Sequence, residues 1–354
     1  MMISTFSRIL FAPMIALATV VALADPSVPA APVPYPDGAS GEVQPFVHDP
    51  VIAVEGDQYF LFHTGPGINV WQSSDMQHWT TLDSVFPEVP QWMFETIPGF
   101  RGHLWAPDIY HHDGTWYLYY SVSAFGRNTS FIGVASTPTL DPESSEFGWT
   151  DHGIVIQSFP GLNNWNAIDA NVIDDQDGTP WLAFGSFWGG LQIVQLADNR
   201  IELAHPDAPE VITIASRNPG PAEMPDGGYP EQAGSGAIEA PFLVYRDGYY
   251  YLFASTDYCC RGADSTYKMI VGRSKSVTGP YVDQNGVPMN EGGGTLLLEG
   301  DDRWYGVGHN GVTHVDGVDY LVYHGYDSQH EYAWARLLIN PIHWKNGWPT
   351  VTRE

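Results

Sequence analysis

Basic residues are scarce in this sequence. Only 14 Lys and Arg stand against 41 Asp and Glu, a formal net charge of -27. A field of that sign repels phosphate backbones and anionic bilayers, which excludes nucleic acid and a membrane surface as partners. It also disfavours a polyanionic polymer, because no basic cluster exists to receive one. Cysteine is almost absent, with two residues side by side at Cys259 and Cys260. Two adjacent thiols with no neighbouring histidine do not make a tetrahedral zinc site. In an exported chain they suggest a disulfide, yet Cα atoms about 3.8 Å apart are closer than disulfides usually span, so pairing stays open. Helix periodicity is missing beyond the N-terminus, where short apolar runs are punctuated by Gly and Pro. No second apolar run is long enough to span a bilayer.

What is abundant is aromatic: 13 Trp, 19 Tyr and 16 Phe. Most must be strand core, but flat rings also stack on sugar faces. The first residues read as an export signal (1–24). Arg8 is followed by the apolar run Ile9–Ala24 and a small-x-small cleavage pattern at Ala22-Leu23-Ala24. Residues 25–36, DPSVPAAPVPYP, read as an extended leader. The expected location is therefore secreted or periplasmic, and residues 37–354 are expected to form one domain.

That domain repeats. Five segments share one grammar: a polar residue, a short apolar strand, an Asp/Gly turn and an aromatic-rich strand. Their opening polar residues are Asp49, Asp108, Asp169, Glu239 and Asn310. The 59 to 71 residues between them suffice for a four-stranded antiparallel blade. The predicted fold is all-β, a five-bladed β-propeller with four antiparallel strands per blade. A stacked solenoid is the alternative, and the capping repeats it requires are not evident. Asp175-Gln176-Asp177-Gly178 hints at a calcium loop, but every repeat has a turn there, so it reads as a hairpin.

If each repeat opens on the innermost strand, the five opening residues are equivalent and converge at one mouth. Clustered carboxylates mean a cation site or acid/base catalysis. Glycoside hydrolysis needs one protonated and one ionised carboxyl group, set apart for inversion. Glu239, between Ile238 and Ala240, is a poor residue to bury without a purpose.

The motifs HDP (48–50), WAPD (105–108), NAIDA (166–170), GSFWGG (185–190), GAIEAPF (236–242), STYKMIVGRS (265–274), GVGHNGV (306–312) and LLINPIHWKNGWP occur in this order. With them the chain resembles the five-bladed endo-α-1,5-L-arabinanases of glycoside hydrolase family 43, from about Pro34 to its end. The resemblance implies Asp49 as general base, Glu239 as general acid and Asp169 as modulator of the acid's pKa. It implies Trp105, Phe125, Asn166, Ser186, Phe187 and Trp188 as sugar-binding residues. It also implies an axial structural ion, expected to be calcium, with His309 as ligand, and no organic cofactor. Asp108 reads as structural. The implied substrate is arabinan with its oligosaccharides, cut internally by a monomer. The lack of an added C-terminal β-sandwich favours that endo reading. An exo-acting arabinofuranosidase or β-xylosidase on the same fold is the alternative, and a non-catalytic sugar-binding propeller ranks lower.

Overall fold

The computed structural model describes residues 45–218, 223–330 and 334–353. The export signal and leader lie outside the described residues. Blade one contains β1 (Val51–Glu55), β2 (Gln58–His63), β4 (Asn69–Ser73) and β5 (Thr80–Leu82), with the two-residue β3 (Gly65–Pro66) in the loop between β2 and β4. A six-residue helix α1 (Gln91–Thr96), not expected from the sequence, precedes blade two. That blade comprises β6 (His103–His112), β7 (Thr115–Val122), β8 (Ser130–Thr137) and β9 (Thr150–Ser158). Blade three comprises β10 (Asn171–Asp174), β11 (Pro180–Phe184), β12 (Leu191–Gln195) and β13 (Ile212–Ala215). Blade four has β14 (Ile238–Arg246), β15 (Tyr249–Thr256), β16 (Lys268–Ser274) and β17 (Thr295–Leu298). Blade five has β18 (Trp304–Val315), β19 (Val318–Asp327), β20 (Ala335–Lys345) and β21 (Trp348–Val351). Each blade is a four-stranded antiparallel meander, and β3 pairs with β6 as a fifth strand on blade two. The predicted five-bladed propeller is the observed fold.

The second strand of every blade explains both the packing and the unbroken apolar runs. Leu61, Leu118, Leu182, Leu252 and Leu321 occupy one position in YFLFHT, YLYYS, WLAFG, YLFAS and YLVYH. Each leucine is fully buried against the preceding blade. The next residues, Phe62, Tyr119, Ala183, Phe253 and Val322, face the following blade. Both faces of these strands are therefore core, so the usual polar alternation disappears. Burying each large side chain contributes about 1.5–3 kcal/mol. The ring is stitched at its ends by Pro45–Val47, which pair with the start of β20: Leu337 N–H donates to Pro45 and Val47 N–H to Ala335. Where Asp-Gly closes the first hairpin, as at Asp113-Gly114, Asp247-Gly248 and Asp316-Gly317, both residues have positive φ. That is the turn whose twist matches the flanking strands. The Asp175 hairpin uses its carboxylate on its own turn, accepting from Asp177 N, Thr179 N and Trp181 Nε1.

Candidate active site

Antiparallel meanders put the starts of all first strands at one end of the ring. The loops joining second to third strands, and those joining one blade to the next, lie at that same end. Near the start of each first strand one non-glycine residue adopts a left-handed backbone: Asp49, Ala106, Asp169, Ala240 and His309, with φ between 43° and 61°. The first strands of blades two, four and five break register around this residue.

This corrects the expected equivalence of the five opening residues. Asp49 and Asp169 are equivalent, and His309, not Asn310, joins them in blade five. Glu239 lies one position earlier, equivalent to His48 and Trp105. Asp108 lies two positions later, equivalent to Val51 and Asn171. The bulge adds a residue that simple spacing does not reveal. Asp108 consequently turns between blades, accepting from Val172 N (2.8 Å) and Asn171 Nδ2 (3.3 Å). Burial pushes its carboxyl up to about 7, against those hydrogen bonds. It is a structural residue, as expected.

The left-handed residues are held by a repeated contact from the end of the preceding blade's second strand. Thr64 Oγ1 accepts from Ala106 N (2.8 Å), Ser121 Oγ from Asp169 N (3.0 Å), and Ser255 Oγ from His309 N (2.8 Å). His324 Nδ1 accepts from Asp49 N (3.2 Å). Blade three carries Gly185 at this position, so it offers no side chain to Ala240. There the Ala240 N–H donates to Oδ2 of Asp169 instead, at 3.1 Å.

Asp49, Asp169, Glu239 and His309 thus share one small space. His309 Nδ1 lies 3.0 Å from Asp49 Oδ1, with 14% and 16% of the two side chains exposed, enough for a ligand to reach them. Thr64 Oγ1 donates to Asp49 Oδ2 at 2.5 Å. Burial alone would push Asp49 up; the neighbouring His309, with His324 and His48 behind it, outweighs burial and holds it well below the usual carboxylate range. Burial would lower His309, but Asp49 and the other carboxylates raise it to about 9. Asp169 is raised to about 8, by burial first and by the charges of Glu239 and Asp49. Glu239 is raised chiefly by burial, and the Ser186 hydroxyl donating to its Oε2 at 2.7 Å partly offsets this. The site therefore holds one carboxylate kept ionised beside two whose ionisation is disfavoured. The push between Asp169 and Glu239 runs both ways, and the two titrate as a pair. Tyr267 lies buried beside Glu239, whose charge adds to burial in raising the phenol.

The other expected site residues divide. Trp105 is half-buried one position before Ala106, and Phe125 is 63% exposed in the loop after β7. Asn166 is buried, and its Oδ1 has no hydrogen-bond partner among the described residues. Phe187 is half-buried at the mouth, 6.0 Å from the ring of Tyr258. Trp188 is buried, its indole N–H donating to the Pro230 carbonyl, so it supports the loop above rather than lining an open surface. His309 is committed to Asp49. The described residues with three converging ligand atoms are His48, Asp49 and His324, all within 4.8 Å of one another. A cavity of about 370 Å³ between blades four and five contains none of these groups.

The chain is similar over most of its length to known proteins. The chain is 50% identical over 317 residues to the extracellular exo-α-(1→5)-L-arabinofuranosidase ArbA of Cellvibrio japonicus, covering 89% of each chain. It is 43% identical to the extracellular endo-α-(1→5)-L-arabinanase 1 of Bacillus subtilis, over 88% of this chain and 89% of that one. The Cellvibrio cellulosa α-L-arabinanase solved with arabinohexaose superposes with a TM-score of 0.82 at 49% identity, covering 88% of this chain and 96% of that one. The profile of the glycosyl hydrolases family 43 matches residues 43–349, and the chain belongs to that family.

Proposed function

We propose that this chain hydrolyses α-1,5-linked arabinan with inversion, using Asp49 as general base, Glu239 as general acid and Asp169 to tune the acid. The observation that carries the reading is the opposed displacement of the carboxyls in one buried cluster: Asp49 held down, Glu239 and Asp169 pushed up. Asp49 takes a proton from water as the water oxygen bonds to the anomeric carbon. Glu239 gives its proton to the glycosidic oxygen as that bond breaks. His309 and Thr64 fix the two oxygens of Asp49 and keep it ionised. Ser186 orients Glu239, and Ala240 N–H orients Asp169. Trp105, Phe125 and Phe187 offer ring faces to sugars, and Asn166 lies buried beneath the site.

The proposed mode of attack is from a chain end. The relative at 50% identity is named exo-acting. The segment before β14 is also stitched to neighbouring loops: Tyr229 N–H donates to Gly161, and Gln232 bridges to Arg127. That raises a wall on the side of blades two and three. Internal cleavage, the expectation from sequence, is the second reading, favoured by the endo-named relative at 43% identity. Sizing early products from linear arabinan separates the two. Short products with little loss of viscosity support exo action, and a fast viscosity drop supports endo action. No arabinan cleavage at all overturns the function.

Secretion is proposed from the export signal and from relatives named extracellular. An axial cation is proposed beside Asp49, where ligand atoms of His48, Asp49 and His324 lie within 4.8 Å of one another; His309, the ligand expected from sequence, reaches Asp49 with its Nδ1. Calcium there would have to draw most of its oxygen ligands from water, since the protein offers one carboxylate beside two imidazoles. Its charge would further favour ionised Asp49.

A further inference from the structure

The two cysteines that sequence left open are joined to each other as neighbours in the chain. A bond closing so small a loop restricts the unfolded chain very little, so its effect on the folded protein is local. Its place is informative. The segment 257–266, between β15 and β16, lies at the mouth above Glu239, since β14 and β15 pair through Glu239 and Ser255. On one side Tyr258 meets Phe187, the residue after the Ser186 that holds Glu239. On the other, Cys260 N–H donates to the Tyr326 hydroxyl at 2.7 Å. The Tyr326 ring packs against His48 and His324, the neighbours of Asp49. The segment thus spans from blade three to blade five, over both proposed catalytic carboxylates.

Its own contacts hold one conformation. Tyr258 O accepts from Thr266 N at 2.9 Å, Arg261 N donates to Ser265 Oγ at 3.0 Å, and the Arg261 guanidinium lies 4.1 Å from the centre of the Tyr258 ring. Cys260 is exposed with φ +66°, and Cys259 is half-buried. The bond ties this exposed left-handed residue directly to the residue following Tyr258. Main chain and disulfide together join the Tyr326 anchor at Cys260 N to the Tyr258–Phe187 pair within three residues.

We propose that the Cys259–Cys260 bond is a positioning element for substrate. It fixes segment 257–266 so that Tyr258 and Phe187 present an aromatic rim to the arabinose units flanking the scissile bond. The inference rests on the arabinan-hydrolase reading. The bond takes no part in proton transfer, so its loss falls on oligosaccharide binding and not on chemistry.

The test uses the full chain, with arabinohexaose and an aryl α-L-arabinofuranoside as substrates. Disulfide reduction by a phosphine is followed by thiol counting, steady-state kinetics and re-oxidation. Reduction is expected to raise KM for arabinohexaose about fivefold, in line with the loss of a stacking contact. kcat and the pH profile should stay in place, and re-oxidation should restore KM. C259S/C260S should reproduce the reduced enzyme, and adding it to Y258A should raise KM no further than Y258A alone. An unchanged KM in an active, fully reduced enzyme overturns the proposal. So does an equal fall in kcat on both substrates with a moved pH profile, because the bond would then support the carboxylates themselves. A wild-type chain inactive on arabinan overturns the functional reading, and this inference with it.

Discussion

The backbone N–H of Ala240 donates to Oδ2 of Asp169 at the one blade junction where the repeated side-chain acceptor is missing. Thr64, Ser121, Ser255 and His324 serve the other four junctions, and Gly185 stands in the fifth. Its φ of +128°, and a position where a Cβ would come within 2.6 Å of the Gly190 carbonyl, keep it glycine. The gap turns the Asp169 carboxylate toward the strand that carries Glu239. A local absence in one repeat thus sets the neighbour that tunes the proposed acid.

Asp169 and Ser186 should consequently move the alkaline limb of activity in opposite directions. D169N keeps an acceptor for Ala240 N–H but removes a negative charge, so Glu239 loses its proton more easily and the limb falls by about one pH unit. S186A removes a hydrogen bond that favours ionised Glu239, so the limb rises by up to about one unit. Profiles of kcat/KM against pH on linear arabinan check both. Shifts of the same sign would mean that Glu239 does not set the limb.

His309→Gln should move the acid limb upward, by about 1–3 pH units, because Asp49 loses the cation that keeps it ionised. The stability sign follows from the raised imidazole. Its contribution is complete below its ordinary value of 6.5 and is lost as pH rises through about 9. H309Q should therefore show flatter thermal stability between pH 7 and 10 than wild type. An unmoved acid limb would separate His309 from the base.

The blade count, the strand pairs and the main carboxylates were legible because the repeat is strong: five aligned leucines and five first-strand turns. The register at the mouth was not. A left-handed residue leaves no compositional mark when it is Asp, Ala or His, and it displaces Glu239 and Asp108 by one and two positions in opposite directions. The acceptors Thr64, Ser121, Ser255 and His324 were missed, although they end the same aligned strands as the leucines. Reading that column would have exposed both His324 and the odd Gly185. Trp188 was expected to line the sugar site, but sequence could not show that its indole is spent on Pro230.

Asp108 offers a stability test apart from catalysis. Its carboxyl is raised from 3.8 to about 7, so folding takes up a proton and stability declines as pH rises across that interval. D108N keeps an acceptor for Val172 N–H and carries no charge. It should abolish that decline and be more stable than wild type at pH 8, by roughly 2–4 kcal/mol. D108A leaves the buried Val172 N–H without its acceptor and should lose about 1–3 kcal/mol at pH 5. Denaturant titrations at the two pH values decide. Equal loss in both variants would assign the effect to packing.

The proposed axial cation predicts that a chelator lowers the melting temperature and that added calcium restores it. H324Q should abolish that response while H309Q retains it, because the ligand set centres on His48, Asp49 and His324. Metal analysis of the purified chain accompanies the melts. A response lost in H309Q and kept in H324Q would return the ion to His309.

The roles of the two principal carboxylates separate by leaving group. Asp49 is held ionised by His309 and Thr64, the condition for activating water. D49N should therefore lose at least about 10³-fold on every substrate, whatever the leaving group, since general base assistance is worth up to about 10⁴-fold. Glu239 is raised by burial, the direction that favours the proton a departing oxygen needs. E239Q should lose a similar factor on arabinan. It should retain most turnover of an aryl arabinofuranoside whose phenolate leaves without protonation. The same experiment reports stereochemistry. Proton NMR of the first product should show the β-anomer from the α-linked substrate, because water arrives on the face opposite the bond that breaks. An initial α-anomer would make Asp49 a nucleophile. If E239Q were equally dead on both substrates, Glu239 would not be the acid.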